Sequence, residues 1–203
     1  MRFPQLETDR LVLRELTLDD AEFYFRHFNI IEIVNGCCFP GPKNLDASRE
    51  ELELYCIRPF KENSGIRWGI VMKGNHKLIG TCGFTHWWKI ERRGEIGYDL
   101  NPVFWRQGIM TEALRTVLKY GFESMDLGKI QAIIDSENAR SQKLVLRLGF
   151  KKERVLPQNS VFEGQPRDEV RYLLIKEEYK AELLKVGKRK LSVNRSHKPK
   201  KGF

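Results

Sequence analysis

The chain has 203 residues, 41% of them apolar and 31% charged, which suits one globular domain with a buried core rather than a fibrous or wholly disordered chain. Its net charge of +9 is concentrated at one end, because 185–203 hold eight Lys or Arg and no acid, leaving 28 bases against 27 acids in 1–184. No apolar run approaches the roughly 18–20 residues needed to cross a bilayer, and Cys37, Cys38, Cys56 and Cys82 show neither CxxC spacing nor the density of a disulfide scaffold. Met1-Arg2-Phe3-Pro4 begins no apolar leader. The expectation is a cytoplasmic protein with reduced thiols, no membrane contact and no bound metal.

In chain order, Leu11-Val12-Leu13-Arg14 follows a polar turn and reads as a strand, and Thr17-Leu18-Asp19-Asp20 supplies a cap and acids for a helix N-terminus. Helices are predicted over 21–33 and 46–60, with an irregular 36–44 between them that would border a substrate site. Strands follow at 68–72, 78–88 and 95–100, and their short polar spacers predict an antiparallel meander. Asn101-Pro102 ends the last of these. Beyond it the period changes: a helix over 111–124, a buried strand over 130–134, a helix over 139–148 stopped by Gly149, and a strand begun by Phe150. A strand over 170–175 and a helix over 177–186 complete a domain spanning 1–184.

Between the third central strand and its helix lies Trp105-Arg106-Gln107-Gly108-Ile109-Met110-Thr111-Glu112-Ala113. A glycine turn running directly into a helix presents unpaired N–H groups at the positive end of the helix dipole, which is anion-binding geometry as well as an ordinary turn. Asn138-Ala139-Arg140-Ser141 reads locally as a helix N-cap, and Leu148-Gly149-Phe150 as a helix C-cap.

Together these segments, in this order, resemble the GNAT superfamily of acetyl-CoA-dependent N-acetyltransferases, and within it the RimJ/RimL type, named for enzymes acting on ribosomal-protein N-termini. The likeness runs from about residue 5 to about 180, through Glu7-Thr8-Asp9-Arg10-Leu11-Val12-Leu13-Arg14, Glu95-Ile96-Gly97-Tyr98, Gly108 to Ala113, Asn138 to Ser141 and Leu148-Gly149-Phe150. It implies an α/β fold of the acyl-CoA N-acyltransferase kind, with a central, mostly antiparallel mixed sheet flanked by helices. It further implies acetyl-CoA as cosubstrate, its pyrophosphate on the amides of Arg106, Gln107, Gly108, Ile109, Met110 and Thr111. The pantetheine arm would then lie along the backbone of Tyr98, Asp99 and Leu100, with Asn138 holding an amide of that arm. Trp105 and Met110 depart from the residues usual at their positions.

Direct attack of an amine on a thioester needs a proton acceptor, and the resemblance points to Glu95, since a carboxylate in a partly dry site holds a proton more readily than one in water. An ion pair with Arg92 or Arg93 is the plainer reading of Glu95, and His86 is a second base. The family's usual acid is a Tyr seven residues after the Asn; here that position is Val145, so Ser141 takes the part of donor to the leaving thiolate. Trp87 and Trp88 are adjacent on a strand, so one faces the core and the other would wall the amine pocket.

The acceptor is expected to be a peptide or protein N-terminus, of the ribosomal-protein alanine type. The alternative is a small amine (a polyamine, an amino acid or an aminoglycoside) met by an acidic pocket of Glu32, Glu91 and Asp99. A second alternative is a non-catalytic CoA sensor that binds RNA. The last strand and helix offer a surface for a homodimer. Residues 185–203 are too polar and too alike in charge to fold alone, and read either as a solubilising tail or as an arm for ribosomal RNA phosphates. If the arm reading holds, deleting 185–203 weakens ribosome association and flattens its salt dependence in a sedimentation assay; unchanged association leaves the tail a solubilising one.

Overall fold

The computed structural model describes residues 2–74 and 76–181. The basic tail, and the second half of the helix predicted over 177–186, lie outside the described residues; a helix does begin at 176–181. Eight strands form one mixed sheet in the order β1-β2-β3-β4-β5-β6-β8-β7. They are β1 (Leu6–Glu7), β2 (Leu11–Glu15), β3 (Ile66–Met72), β4 (Leu78–Trp88), β5 (Arg93–Leu100), β6 (Lys129–Asp135), β7 (Lys151–Phe162) and β8 (Gln165–Ile175). Every neighbouring pair is antiparallel except β5 with β6, as the α/β expectation requires.

Helices pack on both faces. The long α5 (Ile109–Glu123) and α6 (Ala139–Arg147) cover one side. The apolar stripe of α5, Ala113, Leu114, Val117, Leu118 and Phe122, meets Phe84, Ile96, Ile130 and Ala132 of the sheet in the main core. A separate small cluster, Leu16, Ala21, Tyr24, Phe28, Ile33, Leu52 and Cys56, holds α1 (Ala21–His27), α2 (Ile31–Cys37) and α3 (Leu45–Leu52) over the other face.

The single helix predicted over 21–33 is two. The Asn29 side chain donates to the carbonyls of Phe25 at 2.8 Å and Pro42 at 3.0 Å, and Ile30 turns extended, so the chain restarts at Ile31. The helix predicted over 46–60 begins one residue earlier, capped by Asn44, whose side chain accepts from the Ala47 N–H at 2.8 Å. It passes through a π-turn at Glu53–Ile57 before α4 (Arg58–Lys61), a widening that turns Leu54, Tyr55 and Cys56 toward the cleft. The 12-residue β7 was legible only at its start, because it is an edge strand whose residues are nearly all exposed and which bulges twice, near Glu153 and Pro157.

Candidate active site

The parallel pairing of β5 with β6 covers three positions, Arg93↔Lys129, Gly94↔Ile130 and Glu95↔Gln131, and then stops. From Ile96 to Leu100 the β6 side of β5 carries no strand, and a cleft of about 1310 Å³ opens there. A bare strand edge offers its N–H and C=O groups to an extended ligand, so the divergence itself makes a slot.

One end of the slot is the start of α5. Gly108 is its N-cap at φ +75°, a left-handed conformation that a side chain resists, and the first intrahelical bond runs from the Glu112 N–H to the Gly108 carbonyl at 3.0 Å. The N–H groups of Ile109, Met110 and Thr111 therefore precede the ladder, at the positive end of a 15-residue helix. Arg140 lies 3.4 Å over the Trp105 ring, and burial and then the neighbouring Arg106 charge hold its guanidinium below the ordinary range. Two cations crowded at a helix N-terminus suit a doubly or triply anionic ligand. Met110 turns into the core, and the Trp105 indole donates to the Leu100 carbonyl at 2.7 Å, so neither departure obstructs the loop but the expected Leu100 carbonyl is already taken.

The loop is pinned from 100 residues away. Glu112 accepts from the Thr8 hydroxyl at 2.5 Å, from the Arg10 N–H at 3.0 Å and from Arg10 Nε at 2.7 Å, while Arg10 Nη1 donates to the Gln107 carbonyl at 3.1 Å. Burial works to raise the Glu112 carboxyl, but these bonds outweigh it and hold it lowered. Two of the sequence segments singled out separately are thus halves of one clamp.

At the other end Glu95 projects into the cleft where the two strands part. Gln131 Nε2 donates to its Oε2 at 2.6 Å, the Thr85 hydroxyl stands 3.4 Å and His86 Nδ1 3.5 Å from its Oε1, and its side chain is 18% exposed. The ion pair with Arg92 or Arg93 does not form: Arg92 bonds Asp126 at 2.8 Å, and Arg93 bonds Glu91 at 2.8 Å. Across the slot the hydroxyls of Tyr98 and Ser141 share a 2.6 Å hydrogen bond in which either can donate, and burial pushes the Tyr98 phenol upward, keeping it protonated.

Residues 10–151 match the family model for the acetyltransferase (GNAT) domain. The chain belongs to the GNAT acetyltransferases. It is 38% identical over 178 residues to the uncharacterized N-acetyltransferase YoaA of Bacillus subtilis, covering 86% of this chain and 98% of that one. It is 30% identical over 181 residues to the ribosomal protein uS5-alanine N-acetyltransferase of Escherichia coli, covering 82% and 88%. In fold it is similar to the spermidine N-acetyltransferase from Vibrio cholerae in complex with CoA and spermine, with a TM-score of 0.74, 23% identity and 85% and 99% coverage.

The acetyltransferase takes its acetyl group from acetyl-CoA, and the bare β5 edge, the α5 amides and the Arg106–Arg140 pair fit that cosubstrate in charge and shape. Replacing Gly108 by Ala is expected to weaken acetyl-CoA binding about 10-fold by titration calorimetry, since a Cβ at positive φ costs about 1–2 kcal/mol or moves the loop.

Asn138 lines the cleft, where its side chain caps α6 by accepting from the Ser141 N–H at 3.0 Å and donates to the Gly36 carbonyl at 2.8 Å, joining α6 to α2; other expected contributors stand elsewhere. The Gln107 side chain folds back, its Nε2 donating to the Val103 carbonyl at 3.0 Å, whereas the expectation concerned its backbone N–H. Trp87 packs on the main core beneath Lys89, and Trp88 is sandwiched by His86 and Arg93; the residues lining the cleft include His86 but neither tryptophan. Of the expected acidic trio, Glu32 and Asp99 line the cleft together with Glu62, Glu95, Asp135 and Glu169, and Glu91 does not. Glu91 pairs with Arg93 outside the cleft, Asp99 is sealed with Arg67, His27 and Thr81, and Glu32 alone of the three stays exposed at the cleft. The thiols are poor nucleophiles, burial pushing Cys37, Cys38 and Cys56 each up to about 12. Cys37 is open to solvent at the cleft wall, yet enough protein surrounds it to disfavour a thiolate. Among the described residues no group of His, Cys, Asp and Glu is arranged to hold a metal ion.

Sequence reading missed the Tyr98 hydroxyl, Gln131, Arg140 and Arg67. Only Arg67 left a mark in the sequence, as a lone charge inside the apolar run Ile66-Arg67-Trp68-Gly69-Ile70.

Proposed function

We propose that the acetyltransferase acylates the N-terminal amine of a peptide or protein, with Glu95 as the proton acceptor and Ser141 as the donor to the departing sulfur. The observation that carries the reading is the placing of Glu95: a carboxylate free of any arginine, at the point where β5 leaves β6, facing the cleft from the side of α1 and α2. A protonated amine cannot attack, so Glu95 takes its proton directly or through one water, and the free pair on nitrogen forms the new C–N bond as the C–S bond of the thioester breaks. The departing thiolate is stabilised by a hydrogen bond from Ser141 Oγ, itself hydrogen-bonded to the Tyr98 hydroxyl, and leaves as the thiol on taking up the second proton that the nitrogen sheds as the amide forms. His86, 3.5 Å from Glu95 Oε1 and partly open to solvent, gives the proton a path out of the cleft.

The peptide acceptor draws support from the uS5-alanine relative, 30% identical over 181 residues. A panel of N-terminal peptides, polyamines and aminoglycosides, read by thiol release and product mass, tests it. One dominant peptide class is expected; preference for spermidine would move the acceptor to a small amine, and tight acetyl-CoA binding without turnover of any amine would favour a sensor.

A further inference from the structure

The floor of the acceptor side holds a buried cation that the transfer itself does not use. Arg67 pairs with Gly83 in the β3–β4 register, and Gly83 with Gly97 in the β4–β5 register, so two glycines lie in line with it across the sheet. The arginine side chain runs flat along this row: a Cβ built on Gly97 would lie 3.0 Å from Arg67 Nη1 and 2.7 Å from Thr85 Cγ2. Nε bonds the Thr81 hydroxyl at 2.7 Å and Nη2 bonds Asp99 Oδ2 at 2.5 Å. His27 Nε2, 2.7 Å from Asp99 Oδ1, and the Thr81 N–H at 2.9 Å fill the rest of that carboxylate. Nη1 has no hydrogen-bond partner among the described residues, although Arg67 lines the cleft with its side chain 14% exposed.

An apolar residue would fill this place with less desolvation than an ion pair, and the guanidinium, fixed at Nε and Nη2, leaves Nη1 open to the cleft, where a ligand's acceptor can replace solvent. Glu95 and Gly97 share a face of β5 and are about 7 Å apart along the strand. An amine held beside Glu95 therefore has its neighbouring substituent over Gly97, against Nη1.

We propose that Arg67 Nη1 binds the oxygen of an α-aminoacyl group, the carbonyl or carboxylate carbon-bonded to the carbon that bears the reacting amine, and thereby selects amino-acid-like acceptors over polyamines. This rests on transfer at Glu95 as proposed above. A peptide N-terminus and a free amino acid share the chemistry; a simple alkylamine lacks the acceptor, and a polyamine brings a further cation toward a fixed one. Sites built to hydrogen-bond a substrate reject analogues that leave the group unpaired.

The test uses the full chain with alaninamide, an alanyl peptide, free alanine, 2-aminobutane and spermidine, rates being referred to the fraction of free amine. The ratio of kcat/KM for alaninamide over 2-aminobutane is measured in the unaltered enzyme, in R67K, and in R67M/D99N, which removes both charges so that no ion is stranded. A ratio above about 10 that falls to within about 3 in the variants is the expected result, as a role confined to stability would lower both rates alike. The alanyl peptide outpacing free alanine would name the carbonyl, and the reverse the carboxylate, either one supporting the contact. A ratio preserved in a variant that still melts cooperatively and binds acetyl-CoA overturns the proposal. If R67M/D99N does not fold, R67K decides, since Lys keeps the charge and loses the planar fork. An unaltered enzyme that prefers spermidine or turns over no acceptor overturns the underlying peptide reading instead.

Discussion

Replacing Glu95 by Gln lowers kcat about 10²- to 10³-fold at neutral pH and leaves the acetyl-CoA dissociation constant within a factor of about two. The substitution keeps the size of the side chain and a partner for Gln131, and it removes the proposed proton acceptor at the mouth of the β5–β6 split. The α5 amides and the free edge beyond Ile96, the proposed acetyl-CoA contacts, lie on the other side of the slot, which is why affinity should survive. The defect should shrink as pH rises past about 8, where an α-amino group loses its proton to water unaided. Thiol-release rates between pH 6.5 and 9.5 test both statements. A loss of activity that stays constant across that range would point to a positional rather than a proton-accepting role for Glu95.

Asp99→Asn costs about 3–5 kcal/mol of folding stability, and R67M/D99N recovers a large part of it. Asp99 is 5% exposed and receives bonds from His27, Arg67 and Thr81; without its charge, Arg67 stays buried with no counter-ion. For Arg67 itself burial works against the charge, and Asp99 more than offsets it. Burial likewise raises the Asp99 carboxyl, but the His27 hydrogen bond and the charges of His27 and Arg67, with Thr81, overcome it and hold it at about 2. The sign follows from that depression. A carboxylate with its folded value below the ordinary 3.9 stabilises the fold above about pH 4, and the contribution fades as pH falls through about 2. Urea melts at pH 7 and at pH 2.5 should therefore differ more in the unaltered protein than in R67M/D99N. Equal pH sensitivity in the two would show that other carboxylates dominate acid unfolding.

The two residues behind these predictions differed greatly in how visible they were. Glu95 stood in a stretch whose likeness to the RimJ/RimL type pointed at it, and the surrounding motif gave it a role before any geometry was available. Asp99 was expected to lend its backbone to acetyl-CoA and its carboxylate to an acidic pocket. The fold leaves its strand edge bare but turns the side chain the other way, onto an arginine 32 residues earlier and a histidine 72 residues earlier. No local pattern connects those three positions.

The amino-acid sequence by itself determined the order of elements from β3 to α6, because period-2 and period-3.6 apolar patterns are local and alternate cleanly over 66–147. It determined the α5 loop as well, since a glycine before a helix states its own backbone conformation. Only the tertiary structure decided that β5 and β6 separate after Glu95, that Tyr98 reaches Ser141, that Glu112 locks onto Thr8 and Arg10, and that Arg67 lies flat over Gly97. Each of these depends on residues 30 to 104 positions apart that lie within a few ångströms of one another. Such contacts depend on where sheet twist and helix packing bring whole elements together, and the residues at either end carry no local trace of it.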